Sequence, residues 1–309
     1  MIWAFFMDEL TVLPGSSTFW ADFVDELTVL PGSSTIWADF VDEFCYLFVY
    51  LYVMRYSLTL SYDGAPFFGY QIQPGHPSVQ ECVEAALSRL LNRPVAIVGA
   101  GRTDTGVHAA FYAAHFDMDT ELPFTAEDFR YKLNAVLPRS IAVHSVELVA
   151  DDFHARFDAV RREYTYFLHR SKDPFIENYS WRCGYPKLDF QAMNEACKYL
   201  IGTKDFSAFE KTGGDNKTSI CTVYEAFWAP YTPSHVSVMG YPGGEYWYFR
   251  ISANRFLRNM VRAVVGSLIE VGRGKHSPQW IQELLESGTR SDAGESVPAH
   301  ALFLNKVEY

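Results

Sequence analysis

The stretch MRYSLTLSYDG, residues 54–64, sets Met54, Tyr56, Leu58, Leu60 and Tyr62 against Arg55, Ser57, Thr59 and Ser61. A period of two with apolar residues on one side predicts a strand with one buried face. Downstream, Ser78 with Glu81 has the spacing of a capping box. Val79, Cys82, Val83, Ala86, Leu87, Leu90 and Leu91 then recur at helical spacing, and Pro94 ends that helix. VAIVG (95–99) predicts a buried strand and Phe111–Met118 another. Thr125 and Asp128 open a second helix, AEDFRYKLNAV, which stops before Pro138, and IAVHSVELV (141–149) predicts a further strand. The order β-α-β-β-α-β is the split arrangement of ferredoxin-like domains, so the chain is expected to be α+β.

Beyond a boundary expected near residues 150–160, the same alphabet continues. REYTYFLH from Arg162, SICTVYEAFWA, EYWYFRIS and ALFLNKVEY predict strands. FQAMNEACKYLIG predicts a helix closed by Gly202, and NRFLRNMVRAVVGSLIEVG a long helix starting at Asn254. Ser277 is the expected cap of PQWIQELLES, with Pro278 in its first turn, and YPGG (241–244) is expected to be a hairpin turn.

The 309 residues are 49% hydrophobic and 16% aromatic, enough for a substantial core and against general disorder. The net charge of −11 argues at first against a nucleic-acid partner. The charge is unevenly spread, however. Residues 1–53 hold eight acids and neither lysine nor arginine, which leaves 26 cations against 29 acids from Met54 onward. Local basic patches can therefore decide what that part binds. Five cysteines, an odd number without CxxC spacing, fit a reducing compartment such as the cytoplasm and give no zinc signature.

Residues 7–23 and 24–40 are two copies of one 17-residue segment with two mismatches. The period fits no solenoid, and near-identity suggests a recent duplication of DNA. CYLFVYLYVM (45–54) is too short to span a membrane, and no basic segment precedes it. Residues 1–53 are thus expected to be a non-native or disordered extension, with Met54 as the native start.

GAGRTDTGVHA (99–109) places Asp104 among Gly99, Gly101 and Gly106, with Arg102 and His108 close by. An aspartate in such a loop commonly serves the turn itself. A dinucleotide site would need a helix after the glycines, and Asp104 would face the pyrophosphate, so that reading fails. His108 and His115, on or near a strand, read more readily as structural than as bases. In FHARFDAVRREYTYFLHR (153–170), arginines and histidines interleave with aromatics, a composition suited to stacked bases and phosphates as well as to an ordinary strand. Arg255, Arg258 and Arg262 fall at i, i+3 and i+7 on the expected long helix, with no acid before Glu270, which suits a cleft wall facing an anion.

These segments carry a family resemblance. GAGRTDTGVHA closely resembles the catalytic motif of tRNA pseudouridine synthases of the TruA type. YDGAPFFGYQIQPGHPSVQECVEAAL, ARFDAVRREYTYFL, DFSAFEK, NRFLRNMVRAVVGSLIEVGRGK and PAHALFLNKVEY resemble further blocks of that family, in order, across Met54–Tyr309. Two departures are Thr105, where alanine is commonest, and His300-Ala301, where Glu-Gly is usual.

The resemblance implies two ferredoxin-like (RRM-like) halves, 54–155 and 156–309, forming a central antiparallel sheet with the active cleft between them. It makes Asp104 the nucleophile that converts uridine to pseudouridine at positions 38–40 of the tRNA anticodon arm. Attack at C1′, removal of the 2′ proton and addition at C6 all remain open to that carboxylate. Arg262 would be its ion-pair partner, an adjacent cation favouring the charged acid. Tyr164 would stack on the base and Leu302 press on its other face. Arg102 would hold the backbone and fill the gap left by the flipped nucleotide, while Arg258 and Arg161 grip phosphates. The resemblance further implies a homodimer with tRNA spanning both subunits, no cofactor, no metal and no membrane. A catalytically silent RNA-binding protein on two RRM-like halves is the rival, and it would have no reason to keep Asp104 with Tyr164 and Arg262.

Overall fold

The computed structural model describes residues 53–211, 213 and 218–309. The 17-residue duplication, the acidic segment, Cys45 and the apolar run up to residue 52 lie outside the described residues.

β1 (Met54–Tyr62) alternates buried and half-buried positions along its whole length, as the period of two requires. It lies between β3 (His108–Met118) and β4 (Ile141–Val149), antiparallel to both. α1 (Val79–Leu91) starts where Ser78 Oγ accepts the Glu81 N–H, and it ends at Asn92 in the left-handed region. α2 (Ala126–Val136) is capped by Thr125, which accepts the Asp128 N–H, and stops at Leu137 before Pro138.

VAIVG forms less strand than its composition suggests. Only β2 (Val98–Gly99) pairs with β3, while Val95 and Ile97 are buried without a ladder partner strand. β3 also starts three residues earlier than expected, which brings His108 onto the strand.

The remaining strands are β5 (Arg161–His169), β6 (Trp181–Arg182), β7 (Gly202–Asp205), β8 (Ile220–Pro230), β9 (Tyr246–Ala253) and β10 (Leu302–Glu308). One sheet runs β4-β1-β3-β10-β5-β9-β8-β7, with β2 on β3 and β6 on β5. Its pairings are antiparallel except β3–β10 and β5–β6, so the fold is α+β around a large, mostly antiparallel sheet. The last strand of the chain, β10, therefore sits in the middle, joining β3 to β5.

The helices after Gly184 differ from expectation at their ends. α3 (Phe190–Cys197) tightens into a 3-10 turn over Lys198–Leu200, and Gly202 opens β7 instead of closing the helix. A one-turn helix, α4 (Ser234–Ser237), lies in the 15-residue connection from β8 to its antiparallel neighbour β9, so YPGG is part of a long hairpin loop and not a tight turn. Asp173 pins that connection: it accepts from His235 Nε2 at 2.6 Å and from the Tyr246 hydroxyl at 2.7 Å. α5 (Met260–Gly272) begins six residues after Asn254, because Asn259 takes φ 63° and breaks the helix there. Arg255 and Arg258 therefore share no helical stripe with Arg262. α6 (Trp280–Ser287) starts after Gln279 without any side-chain cap, so Ser277 offers only its carbonyl, to Trp280 N–H at 3.1 Å.

Eleven of the thirteen residues of α5 are buried, Arg262 and Glu270 being the exceptions. A helix apolar on all sides belongs inside a core, so Arg262 is a cation that the packing brings deep into the molecule. Two apolar clusters hold the fold. One gathers α1, α2, β1, β3 and β4, the other α3, α5, α6, β5, β6, β8 and β9; β10 contributes to both, and Tyr164 packs against both. Among the described residues, no helix is long and apolar enough to cross a membrane.

Candidate active site

Asp104 lies in the loop between β2 and β3. The loop is closed at its start by Ala100 N–H donating to Ala113 at 2.8 Å, and at its end by Val107 N–H donating to the Asp104 carbonyl at 3.1 Å. Thr103 is buried beneath it, with Oγ1 2.9 Å from the Tyr62 hydroxyl. Of the three glycines around Asp104, only Gly106 needs positive φ, at 77°. Gly99 is there for room, since a Cβ would meet the Tyr112 hydroxyl at 2.3 Å, and Gly101 faces open space.

A fourth glycine supports the loop from below. Gly69 has φ 95°, and a Cβ there would come within 2.5 Å of the Thr103 carbonyl, which already accepts from Tyr70 N–H. Gly69→Ala is expected to destabilise the protein by about 1–3 kcal/mol, from the strained backbone plus the displaced loop. Urea unfolding of the variant checks this, and an unchanged midpoint would contradict it.

Arg262 reaches Asp104 from the first turn of α5. Its Nε donates to the Val297 carbonyl at 2.8 Å, which aims the guanidinium, and its Nη1 donates to Asp104 Oδ2 at 3.3 Å. The pair joins residues 158 positions apart in the chain and is only partly open to solvent, at 31% and 22% side-chain exposure for Asp104 and Arg262. Water screens such a pair less than one at the open surface.

Tyr164 stands in β5 between Ile251 of β9 and Leu304 of β10. Burial first, and the Asp104 charge second, push its phenol up to about 12, so it keeps its proton in neutral solution. Its ring meets Phe256 edge-on at 5.0 Å. Leu302, buried, pairs with Tyr166 one step along the same face of the ladder. Asp104, Arg262 and Tyr164 thus gather where the two apolar clusters meet, with Leu302 beside Tyr166 on the Tyr164 face of the sheet. A carboxylate, a fixed cation, a proton-bearing phenol and an apolar wall can hold a flat polar ring against a nucleophile.

The other expected residues divide. Arg102 and Arg258 are exposed, and their side chains have no protein partner among the described residues. Arg161 lies an odd number of residues from Tyr164 and so on the opposite face of the sheet. There it donates to Ser252 Oγ at 2.8 Å and approaches Glu225 at 3.8 Å, away from Asp104. Arg162, on Tyr164's face, is the arginine that touches the site. It donates to the carbonyls of Ala159, Asn254, Ala100 and Arg156, tying the start of the Asp104 loop to both flanking segments. Strand parity in RREYT would have singled out Arg162 over Arg161.

His108 is structural. Its Nε2 lies 2.9 Å from the His300 carbonyl, Nδ1 accepts from Gly64 N–H at 3.0 Å, and the ring stacks on Phe303. Burial lowers its pKa, against the Asp63 carboxylate 3.0 Å from Nδ1, which raises it. His115 is held neutral, at about 4, chiefly by burial and then by Arg55, and it accepts from Ala155 N–H. Among the described residues, no group of three or more His, Cys, Asp or Glu is placed to share a metal ion.

A family model described as tRNA pseudouridine synthase matches residues 59–158 and 196–309 of the chain. The chain is 46% identical over 255 residues to tRNA pseudouridine synthase A of Porphyromonas gingivalis, covering 82% of this chain and 97% of that protein. It is 46% identical over 258 residues to the enzyme of the same name from Bacteroides fragilis, covering 83% and 97%. With that of Bacillus subtilis it shares 41% over 260 residues, covering 83% and 99%.

Proposed function

The chain belongs to the tRNA pseudouridine synthase family, an isomerase of uridine in tRNA, and from that premise we propose that Asp104 is its nucleophile and that uridines 38–40 of the anticodon arm are its targets. The observation that carries the assignment is the Asp104–Arg262 ion pair at 3.3 Å, half-buried beside a protonated tyrosine. The guanidinium, itself aimed by the Val297 carbonyl, holds in place the carboxylate that would attack.

The reaction breaks the bond from C1′ to N1, turns the uracil and rejoins it through C5. It returns the same atoms and electrons, so the chain's tasks are to extrude the nucleotide, hold the ring and present a carboxylate. Tyr164 supplies a flat face and an O–H donor, and Leu302 an apolar one. Flipping a base out of its stack costs a few kcal/mol, and Arg102, exposed and two residues from Asp104, is assigned to the vacated space. Arg258, also exposed, is assigned to backbone phosphate. Arg161, turned to the other face, has no part in this set. The reading extends to a cytoplasmic homodimer that grips one tRNA with both subunits, which the family resemblance supports.

Mapping pseudouridine in tRNA from cells with and without the gene tests the target positions. Loss at 38, 39 and 40 together is expected in the deletion strain. Loss confined to another arm of the tRNA would contradict the assignment.

A further inference from the structure

Behind the Asp104–Arg262 pair lies a second feature, a cavity of about 270 Å³ lined by Lys211, Asn259, Arg262, Arg290 and Ser296. Among the described residues that line it, three of five are cations and none is an acid. Like charges gather in this way at a cost unless an anion joins them. Two of the three are already fixed in place. Arg290 donates to the Gly294 carbonyl at 3.1 Å and to Ser296 Oγ at 2.8 Å, and Ser296 Oγ also accepts from Asn259 Nδ2 at 2.6 Å. Arg262 is held by Val297 and Asp104 through Nε and Nη1, and its Nη2 has no protein partner among the described residues. Lys211 is exposed, anchored only through its backbone N–H to the Arg258 carbonyl, with no partner for its ammonium group among the described residues. Asn259, at the start of α5, turns its side chain to Ser296 and leaves the helix terminus without a side-chain cap. That terminus adds a partial positive charge to the same place.

We propose that this cavity is a subsite for one phosphodiester of the RNA, the group next to the uridine presented to Asp104. The inference rests on the catalytic reading above, because Arg262 is the residue common to both sites. Arg262 then faces two anions at once: the carboxylate that reacts and the phosphate that fixes the reacting nucleotide. Such sharing would set the distance between backbone and nucleophile. Arg290 and Ser296 give the cavity its rigid side, and Lys211 closes on the phosphate from solvent.

The test measures binding of an unmodified tRNA transcript by the full chain across a series of salt concentrations, for the wild type, Lys211→Ala and Lys211→Arg. Lys211 carries no packing, so both variants should fold. Losing one phosphate contact lowers the slope of log affinity against log salt by about one and weakens binding about fivefold at 0.15 M salt. Lys211→Ala should show both changes and Lys211→Arg should restore them. An unchanged slope in Lys211→Ala overturns the proposal. So does stabilisation of the wild type by inorganic phosphate that Lys211→Ala loses while its RNA slope stays the same, since the cavity would then serve the free ion. These readouts do not depend on turnover. An active Asp104→Asn variant would remove the catalytic assignment without altering the salt slope.

Discussion

Asp104→Asn is expected to lower pseudouridine formation by roughly four to six orders of magnitude, the usual scale for removing a nucleophile. Asparagine matches aspartate in shape, so the loop between Thr103 and Val107 should keep its closing hydrogen bonds, which are made by the backbone and by Thr103. Arg262 keeps its anchor on the Val297 carbonyl. What disappears is the charge and, with it, the nucleophile. Thermal unfolding and tRNA affinity should stay close to wild type while steady-state turnover vanishes.

Arg262→Ala should reduce kcat by about 10²–10³, the scale seen when one preorganised electrostatic partner is removed from an active site. The substitution strips Asp104 of its fixed cation and leaves the Val297 carbonyl without its donor. Arg262→Lys keeps a charge but cannot hold Val297 and Asp104 together with one planar fork, so it should recover only part of the rate. Rates at saturating tRNA, with melting curves for each variant, separate the effect from misfolding. A fall in affinity with kcat unchanged would show that Arg262 serves binding alone.

Local periodicity accounts for much that could be read from the sequence. The alternation of Met54–Tyr62 and the caps at Ser78 and Thr125 act over a few residues, and the elements they predict are present. The failures come from tertiary effects. VAIVG is apolar enough for a strand, yet only two of its residues find a partner. The helix from Asn254 loses its first six residues because Asn259 adopts a left-handed conformation that arginines and aromatics around it do not announce. That single break dissolves the stripe of Arg255, Arg258 and Arg262 and leaves Arg262 alone among buried residues.

The site was legible at Asp104 because its glycine-rich loop is contiguous in sequence, and at Tyr164 and Arg262 through family resemblance. Their meeting was expected from that resemblance alone, since it depends on β10 entering between β3 and β5 and on α5 packing against the sheet, which no local pattern shows. The cationic cavity is further out of reach: Lys211, Asn259 and Arg290 sit in three separate segments, each unremarkable by itself.

The account stands most directly on one single-turnover experiment, with Asp104→Asn in excess over tRNA and both partners well above the dissociation constant. It predicts that all the tRNA is bound and that no pseudouridine forms on the timescale in which the wild type converts every target. Conversion by the variant at a rate comparable to wild type would contradict it.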